Sequence, residues 1–445
     1  MISTPIKPYS HSNASSKKRH LLNVPGDKSI SHRALLFGAL ARGSTQITNL
    51  LEAEDVQSTE NALRRLGIDI VRKSNSWTVH GQGRSGLQAP KTNLDCGNSG
   101  TTLRLLMGVL AGRPFDSQLI GDTSLTQRPM KRVADPLRSM GAQIQLSPDG
   151  TAPVQIKGNS SLQAIDYTLP IASAQLKSAI LLAGLCTEGT TRLFGQIDSR
   201  DHTERLLAHF GVRVDRDFAP NSKSEIGGDF LAIQGGQELK GTDIRVPGDI
   251  SSAAFWLGLG ALIPCGTLEI QNVLLNPTRT GIVRLLSQMG ASIQYEITTS
   301  EPEPTGWITI EQSNLQGVEI KPSEVPSLID EIPLIAVLAT LATGKTTVRG
   351  AEELRVKETD RLEALAKNLR AMGAKIELFP DGFIIEGPQT LHGAALESFG
   401  DHRIAMAFSI AALRAQGSSE IRGSDCVSIS YPGFYETLNS VISIS

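Results

Sequence analysis

One tetrapeptide occurs twice in the 445-residue chain, as Val24-Pro25-Gly26-Asp27 and as Val246-Pro247-Gly248-Asp249. A Ser and an apolar run follow each copy, and the copies stand about half a chain apart, the mark of an internal duplication. A shorter period of roughly 70–80 residues runs inside each half. Six segments open on small or polar residues and continue apolar: Lys28–Leu40, Gly97–Leu110, Ser173–Leu185, Ser251–Leu262, Leu328–Leu341 and His402–Leu413. Five of them lead into Gly and a β-rich stretch, such as Gly43-Ser44-Thr45-Gln46-Ile47-Thr48. An amphipathic helix ending near Gly comes next, then two strands joined by a turn. Arg132–Met140, Gly141-Ala142, Gln143–Leu146, Pro148-Asp149-Gly150 and Val154–Ile156 carry the full pattern, with Gly suited to a left-handed C-cap and Pro-Asp-Gly to a turn. The sixth copy is cut short at Ser445.

The unit is therefore helix, strand, helix, strand, strand, copied three times in each half. A first helix that is apolar nearly all round belongs inside, with sheets packed over it. The expected fold is α/β, in two lobes that each enclose three buried helices. Such a repeat can equally be a scaffold without chemistry, so the residues at the helix starts decide.

Composition narrows the field. A net charge of -2 argues against broad nucleic-acid binding, which needs a basic surface. Cys96, Cys186, Cys265 and Cys426 are far apart with no CxxC pair, so neither a zinc knot nor a disulfide framework is indicated. No apolar run is long enough to span a membrane. Residues 1–20 are basic and Ser-rich with no acidic residue; a flexible tail is expected there, with an organelle transit peptide as the lesser reading.

Helix N-termini offer free N–H groups and partial positive charge, which suit phosphate and carboxylate. Here they carry Lys28-Ser29-Ile30-Ser31-His32-Arg33, Gly97-Asn98-Ser99-Gly100-Thr101-Thr102-Leu103-Arg104, Ser173-Ala174-Gln175, Asp330-Glu331 and Asp401-His402-Arg403, with Arg128, Arg200, Lys357, Glu358 and Arg361 nearby. Arg binds carboxylate and phosphate bidentately, and Lys serves as a mobile charge or acid. The set reads as a cleft for two anionic ligands with acid–base groups between them. Structural readings stand beside this one. Asn98–Thr101 also suits a simple capping turn, and Arg355–Glu363 a charged helix start. Asp330 lies in an apolar stretch where an unpaired carboxylate is costly, which favours a functional role.

Other motifs fail. Gly344-Lys345-Thr346 joins a helix to a strand, the reverse of a P-loop, and Gly81-Gln82-Gly83-Arg84-Ser85-Gly86 leads to Pro90 and a strand where a dinucleotide site needs a helix. No HExxH, GxSxG or His pair at metal spacing is present.

At Pro25–Arg33, Gly97–Arg104, Leu125–Met130, Ser173–Ser178, Ser199–Glu204, Asn276–Gly281, Arg355–Arg361 and Asp401–Met406 the chain closely resembles the enolpyruvyl transferases, and among them the 5-enolpyruvylshikimate-3-phosphate synthases. The resemblance implies two lobes, each a pseudo-threefold inside-out α/β barrel of three βαβαββ-type units. Residues 25–247 would form a continuous lobe, and 1–24 with 248–445 a discontinuous one, with the active site in the cleft between them. It implies transfer of the enolpyruvyl group of phosphoenolpyruvate to the 5-hydroxyl of shikimate 3-phosphate, with phosphate release through a tetrahedral intermediate. Neither cofactor nor metal is implied, and the enzyme would be cytoplasmic and monomeric. By position, Lys28, Ser29, Arg33, Ser173, Ala174, Gln175, Arg200, Asp330 and Lys357 would meet shikimate 3-phosphate. Lys28, Asn98, Gly100, Arg128, Gln175, Arg361 and Arg403 would meet phosphoenolpyruvate. Asp330 would be the base for the hydroxyl, and Glu358 with Lys28 would move the methylene proton. Ile429 stands where some members carry a Lys, Ala174 where some have Ser and Arg200 where some have Tyr. The rival transferase acting on UDP-N-acetylglucosamine uses a loop Cys, which Asp122–Arg128 lacks.

Overall fold

The computed structural model describes residues 2–9, 18–217 and 229–443. The first helices of the six repeats are Lys28–Leu40, Gly100–Leu110, Ala174–Gly184, Ile250–Leu262, Ile332–Leu341 and His402–Ala412. Five are opened by a short polar side chain that accepts a backbone N–H: Asp27 from Ile30, Ser99 from Thr102, Ser173 from Leu176, Asp249 from Ser251 and Asp401 from Arg403. The fifth helix has Pro333 in its first turn instead, where a missing N–H costs nothing. All 13 residues of Ile250–Leu262 are buried, as are all but Lys28 and Ser29 in Lys28–Leu40. Each fully buried Leu, Ile or Phe contributes about 1.5–3 kcal/mol over its exposed state, so these helices form the core about which each repeat assembles.

The second helices, Glu54–Arg65, Lys131–Ser139, His202–His209, Gly281–Gln288 and Arg361–Ala371, are amphipathic. Each is followed by a glycine (Gly67, Gly141, Gly211, Gly290, Gly373) with φ between +82° and +95°, a backbone region in which a Cβ is strained. That turn sends the chain into the antiparallel pair of strands. In the second repeat, Leu94–Asp95 runs parallel to Ser117–Ile120, which pairs antiparallel with Val154–Lys157, and Gln143–Gln145 forms the edge. The third and fifth repeats have the same order.

The first and fourth repeats exchange their parallel strands. Arg19–Asn23, which precedes the first tetrapeptide, pairs with Thr267–Leu274 of the fourth repeat; Asp243–Arg245, which precedes the second, pairs with Ala41–Thr48 of the first. The chain accordingly divides into one compact unit of Gly26–Val246 and another of Met1–Pro25 with Pro247–Ser445, and both divisions fall within the repeated tetrapeptide.

The expectation of a flexible tail over residues 1–20 needs correction. Ser3–Ile6 is a strand, antiparallel to Ser419–Arg422, and Arg19 and His20 belong to the strand Arg19–Asn23; residues 10–17 lie outside the described residues. Among the described residues the sixth repeat forms no antiparallel strand after its second helix, Phe434–Ser443. Ser3–Ile6 fills that place, with Ile6 buried and Thr4 Oγ1 bonded to Ser424 Oγ at 2.8 Å. Deleting residues 2–8 should lower the thermal midpoint by several degrees through loss of this pairing. An unchanged melting curve would show that the strand adds nothing.

Candidate active site

In the continuous unit the starts of three buried helices are tied together by side chains. Arg33 donates from Nε to Thr203 Oγ1 and from Nη2 to Ser178 Oγ, both at 2.8 Å, which joins the first helix to the third. Gln175 Nε2 donates to Thr101 Oγ1 at 3.0 Å, which joins the third to the second. His32 Nδ1 lies 2.7 Å from Thr59 Oγ1, itself 2.6 Å from Thr102 Oγ1, closing the ring between the first and second. Burial first, then the charges of Lys28 and Arg33, hold His32 well below its ordinary pKa, so it is a neutral part of this ring. The three positive helix ends therefore converge. At the opposite ends, Arg113 donates to Val109 O at 2.9 Å and Arg84 to Leu185 O, placing cations on the negative helix termini.

Around the converging ends sit the residues singled out from the sequence. Lys28 pairs with Asp55 at 3.0 Å, both largely shielded. Arg128 donates to Asn98 Oδ1 at 2.6 Å and Ser124 Oγ at 3.1 Å, while Asn98 Nδ2 donates to Asp122 Oδ2 at 2.7 Å, so the amide orientation of Asn98 is set from both sides. Gly100 lies against two guanidinium groups: a Cβ there would stand 2.8 Å from Arg104 Nη1 and 3.5 Å from Arg128 Nη1. Ser29, Ser173 and Ala174 are half-buried at the same ends. Arg200 is half-buried in the loop leading into His202–His209, the helix that supplies Thr203 to Arg33.

The second unit holds another cluster. Arg361 is 1 % exposed and meets three carboxylates: Asp401 at 2.7 Å, Glu358 at 2.7 Å and Asp330 at 3.4 Å. Burial opposes its charge, but Asp401, Glu358 and Asp330 outweigh it and raise its pKa further, so the guanidinium stays ionised. Arg403 approaches Asp330 from the other side, donating to its carbonyl at 3.3 Å with Nη2 3.7 Å from Oδ2. Asp330 thus lies between two cations in the turn that opens Ile332–Leu341. Asp360 caps Arg361–Ala371 through Glu363 N at 3.1 Å, which leaves Glu358 and Lys357 in the bend before the helix rather than on it. Among the described residues, no group of three or more His, Cys, Asp or Glu could hold a metal ion, and no helix is long and apolar enough to cross a membrane.

Four residues carried no assigned role in the sequence reading. Arg104 donates to Gln175 Oε1 at 2.7 Å, fixing that amide from the second helix. Asp401 is the chief partner of Arg361, and Asp55 that of Lys28. Arg279, buried, donates to Ser251 Oγ at 2.9 Å and reaches Asp249 Oδ1 at 3.3 Å. Arg104 stands one helical turn after Gly100 and Asp401 caps its helix, signals visible in sequence; the partnerships of Asp55 and Arg279 depend on long-range contact.

Comparison with known proteins bears on this arrangement. The family model described as EPSP synthase (3-phosphoshikimate 1-carboxyvinyltransferase) matches residues 13–438. A protein of Bacillus cytotoxicus named 3-phosphoshikimate 1-carboxyvinyltransferase is 51 % identical over 420 residues, covering 94 % of this chain and 96 % of that protein. A Bacillus cereus protein of the same name is 49 % identical over 422 residues, covering 94 % and 96 %. A solved EPSP synthase of Acinetobacter baumannii superposes with a TM-score of 0.84 at 43 % identity, covering 99 % of this chain and 98 % of that one.

Proposed function

The chain belongs to the EPSP synthase family, and on that premise we propose how its two clusters of helix-start residues carry out the transfer. It is a transferase that moves the enolpyruvyl group of phosphoenolpyruvate to shikimate 3-phosphate in the shikimate pathway. The roles of individual residues are our reading, and the observation that carries it is Asp330 set between Arg361 and Arg403.

Shikimate 3-phosphate is held by Lys28, Ser29, Arg33, Ser173, Ala174, Gln175, Arg200 and Lys357. Three converging positive helix ends support an anion at the first of these groups. Phosphoenolpyruvate is held by Lys28, Asn98, Gly100, Gln175, Arg128, Arg361 and Arg403, whose guanidinium forks match carboxylate and phosphate. Asp330 takes the proton from the 5-hydroxyl as its oxygen bonds to C2 of phosphoenolpyruvate. Glu358 and Lys28 deliver a proton to the C3 methylene, so a tetrahedral phospho-ketal forms. Loss of a proton from C3 then expels phosphate, whose charge the Arg and Lys groups stabilise. Positioned acid–base groups of this kind give about 10²–10⁴-fold each. The enzyme acts as a monomer, and its four free thiols suit the cytoplasm.

Phosphate release with shikimate 3-phosphate and phosphoenolpyruvate tests the acceptor, with UDP-N-acetylglucosamine as the control; release only with the latter would overturn it. Gly100→Ala tests the phosphoenolpyruvate site. Its methyl group must displace Arg104 Nη1, which donates to Gln175 Oε1, in a guanidinium whose Nη2 donates to Pro129 O. The KM for phosphoenolpyruvate should rise about tenfold, with the KM for shikimate 3-phosphate nearly unchanged. Equal effects on both would place Gly100 elsewhere.

A further inference from the structure

Glu331 has no part in the mechanism above, yet it is buried beside Asp330 in a surrounding of unusual charge density. Ser251 donates its hydroxyl to Glu331 Oε1, and Arg279 donates to the same Ser251 Oγ at 2.9 Å. Asp249, at the cap of the same helix, lies 3.3 Å from Arg279. Arg403 enters from the start of His402–Ala412 and Arg361 from the start of Arg361–Ala371, bringing Asp401 and Glu358 with it. Three arginines (Arg279, Arg361, Arg403) thus meet five carboxylates (Asp249, Asp330, Glu331, Glu358, Asp401) in a cluster that must also admit an anionic substrate.

We propose that Glu331 is a positioning residue for the transfer: it and Asp330 titrate as one carboxylate pair, and the charge on Glu331 sets how tightly that pair holds the proton taken from the hydroxyl. This rests on the role of Asp330 as the base. The two residues are adjacent in sequence and share the field of Arg403, so ionising one opposes ionising the other, and their protons leave in two steps that belong to the pair. Burial, and then the charge of Asp330, push Glu331 above the usual carboxylate range, against the pull of Arg403, Arg279 and the Ser251 hydroxyl. The consequence is a base that is better matched to accepting a hydroxyl proton near neutral pH than an isolated, arginine-flanked carboxylate would be.

The test is the pH profile of kcat/KM. In Glu331→Gln the amide keeps an acceptor for Ser251 but removes the charge, so the acidic limb should move down by about one pH unit. Ser251→Ala removes the donor that favours ionised Glu331, so Glu331 carries less charge and the limb should also move down, by less than in Glu331→Gln. Ionisations of the substrates are common to all variants and do not contribute to these shifts. If either variant fails to fold, as judged by its melting curve, the other still gives a signed result. A limb that stays in place in a folded variant, or moves the opposite way, overturns the proposal. Asp330→Asn separates the two readings: turnover near wild type there refutes Asp330 as the base, whereas lost turnover with unmoved limbs refutes the pairing alone.

Discussion

Replacing Asp330 by Asn should lower turnover at least about a hundredfold without raising the KM for either substrate. The amide keeps the shape of the carboxylate but cannot accept the hydroxyl proton. It also removes a negative charge that lies 3.4 Å from Arg361 and 3.7 Å from Arg403. Those guanidinium groups then present more uncompensated charge to an anionic ligand, so binding should hold or tighten while the chemical step fails. Steady-state phosphate release with each substrate varied in turn separates the two quantities. Turnover within a fewfold of wild type would remove Asp330 from the mechanism; a raised KM at unchanged turnover would make it a binding residue only.

The second large effect should come from Arg361→Met. Met keeps an apolar stem but is shorter and removes the cation shared by Asp401, Glu358 and Asp330. Breaking a buried ion pair by removing one partner costs about 3–5 kcal/mol, which for a unit of this size corresponds to a loss on the order of 10 °C in melting temperature. The pH dependence has a definite sign. Carboxylates that lose this cation have folded-state pKa values raised relative to the wild-type fold, so the folded variant binds more protons than folded wild type at the same pH. Its stability deficit should therefore shrink as pH falls towards about 4, where those carboxylates protonate. Melting curves of variant and wild type across pH read this directly. A deficit that is absent, or that widens on acidification, would mean that Arg361 does not neutralise these groups.

The repeat is legible in the sequence because its signals are local. Apolar runs opened by Asp or Ser, and glycines two residues beyond a helix, follow from capping and from φ alone, and Gly67, Gly141, Gly211, Gly290 and Gly373 all take the positive φ that such a turn demands. Helix ends were less sharp: Gly97–Ser99 form a loop ahead of Gly100–Leu110, with Ser99 as the cap, because an Asn-Ser-Gly run reads equally as cap or as first turn. Glu358 reads as part of a charged helix start yet lies outside the helix, since Asp360 takes the capping N–H.

What the sequence determined by itself was the α/β repeat of buried and amphipathic helices, the five anion-suited helix starts and the family. Each of these depends on residues within one turn or one strand of each other. Tertiary structure alone decided which strand completes which sheet: that Arg19–Asn23 serves the fourth repeat, Asp243–Arg245 the first and Ser3–Ile6 the sixth. It also decided that Arg104 fixes Gln175, that Asp55 answers Lys28 and that Ser251 and Arg279 surround Glu331. Strand pairing and buried charge compensation are contacts between distant segments, and no local pattern of residue types specifies which distant partner satisfies an open edge or an unpaired charge.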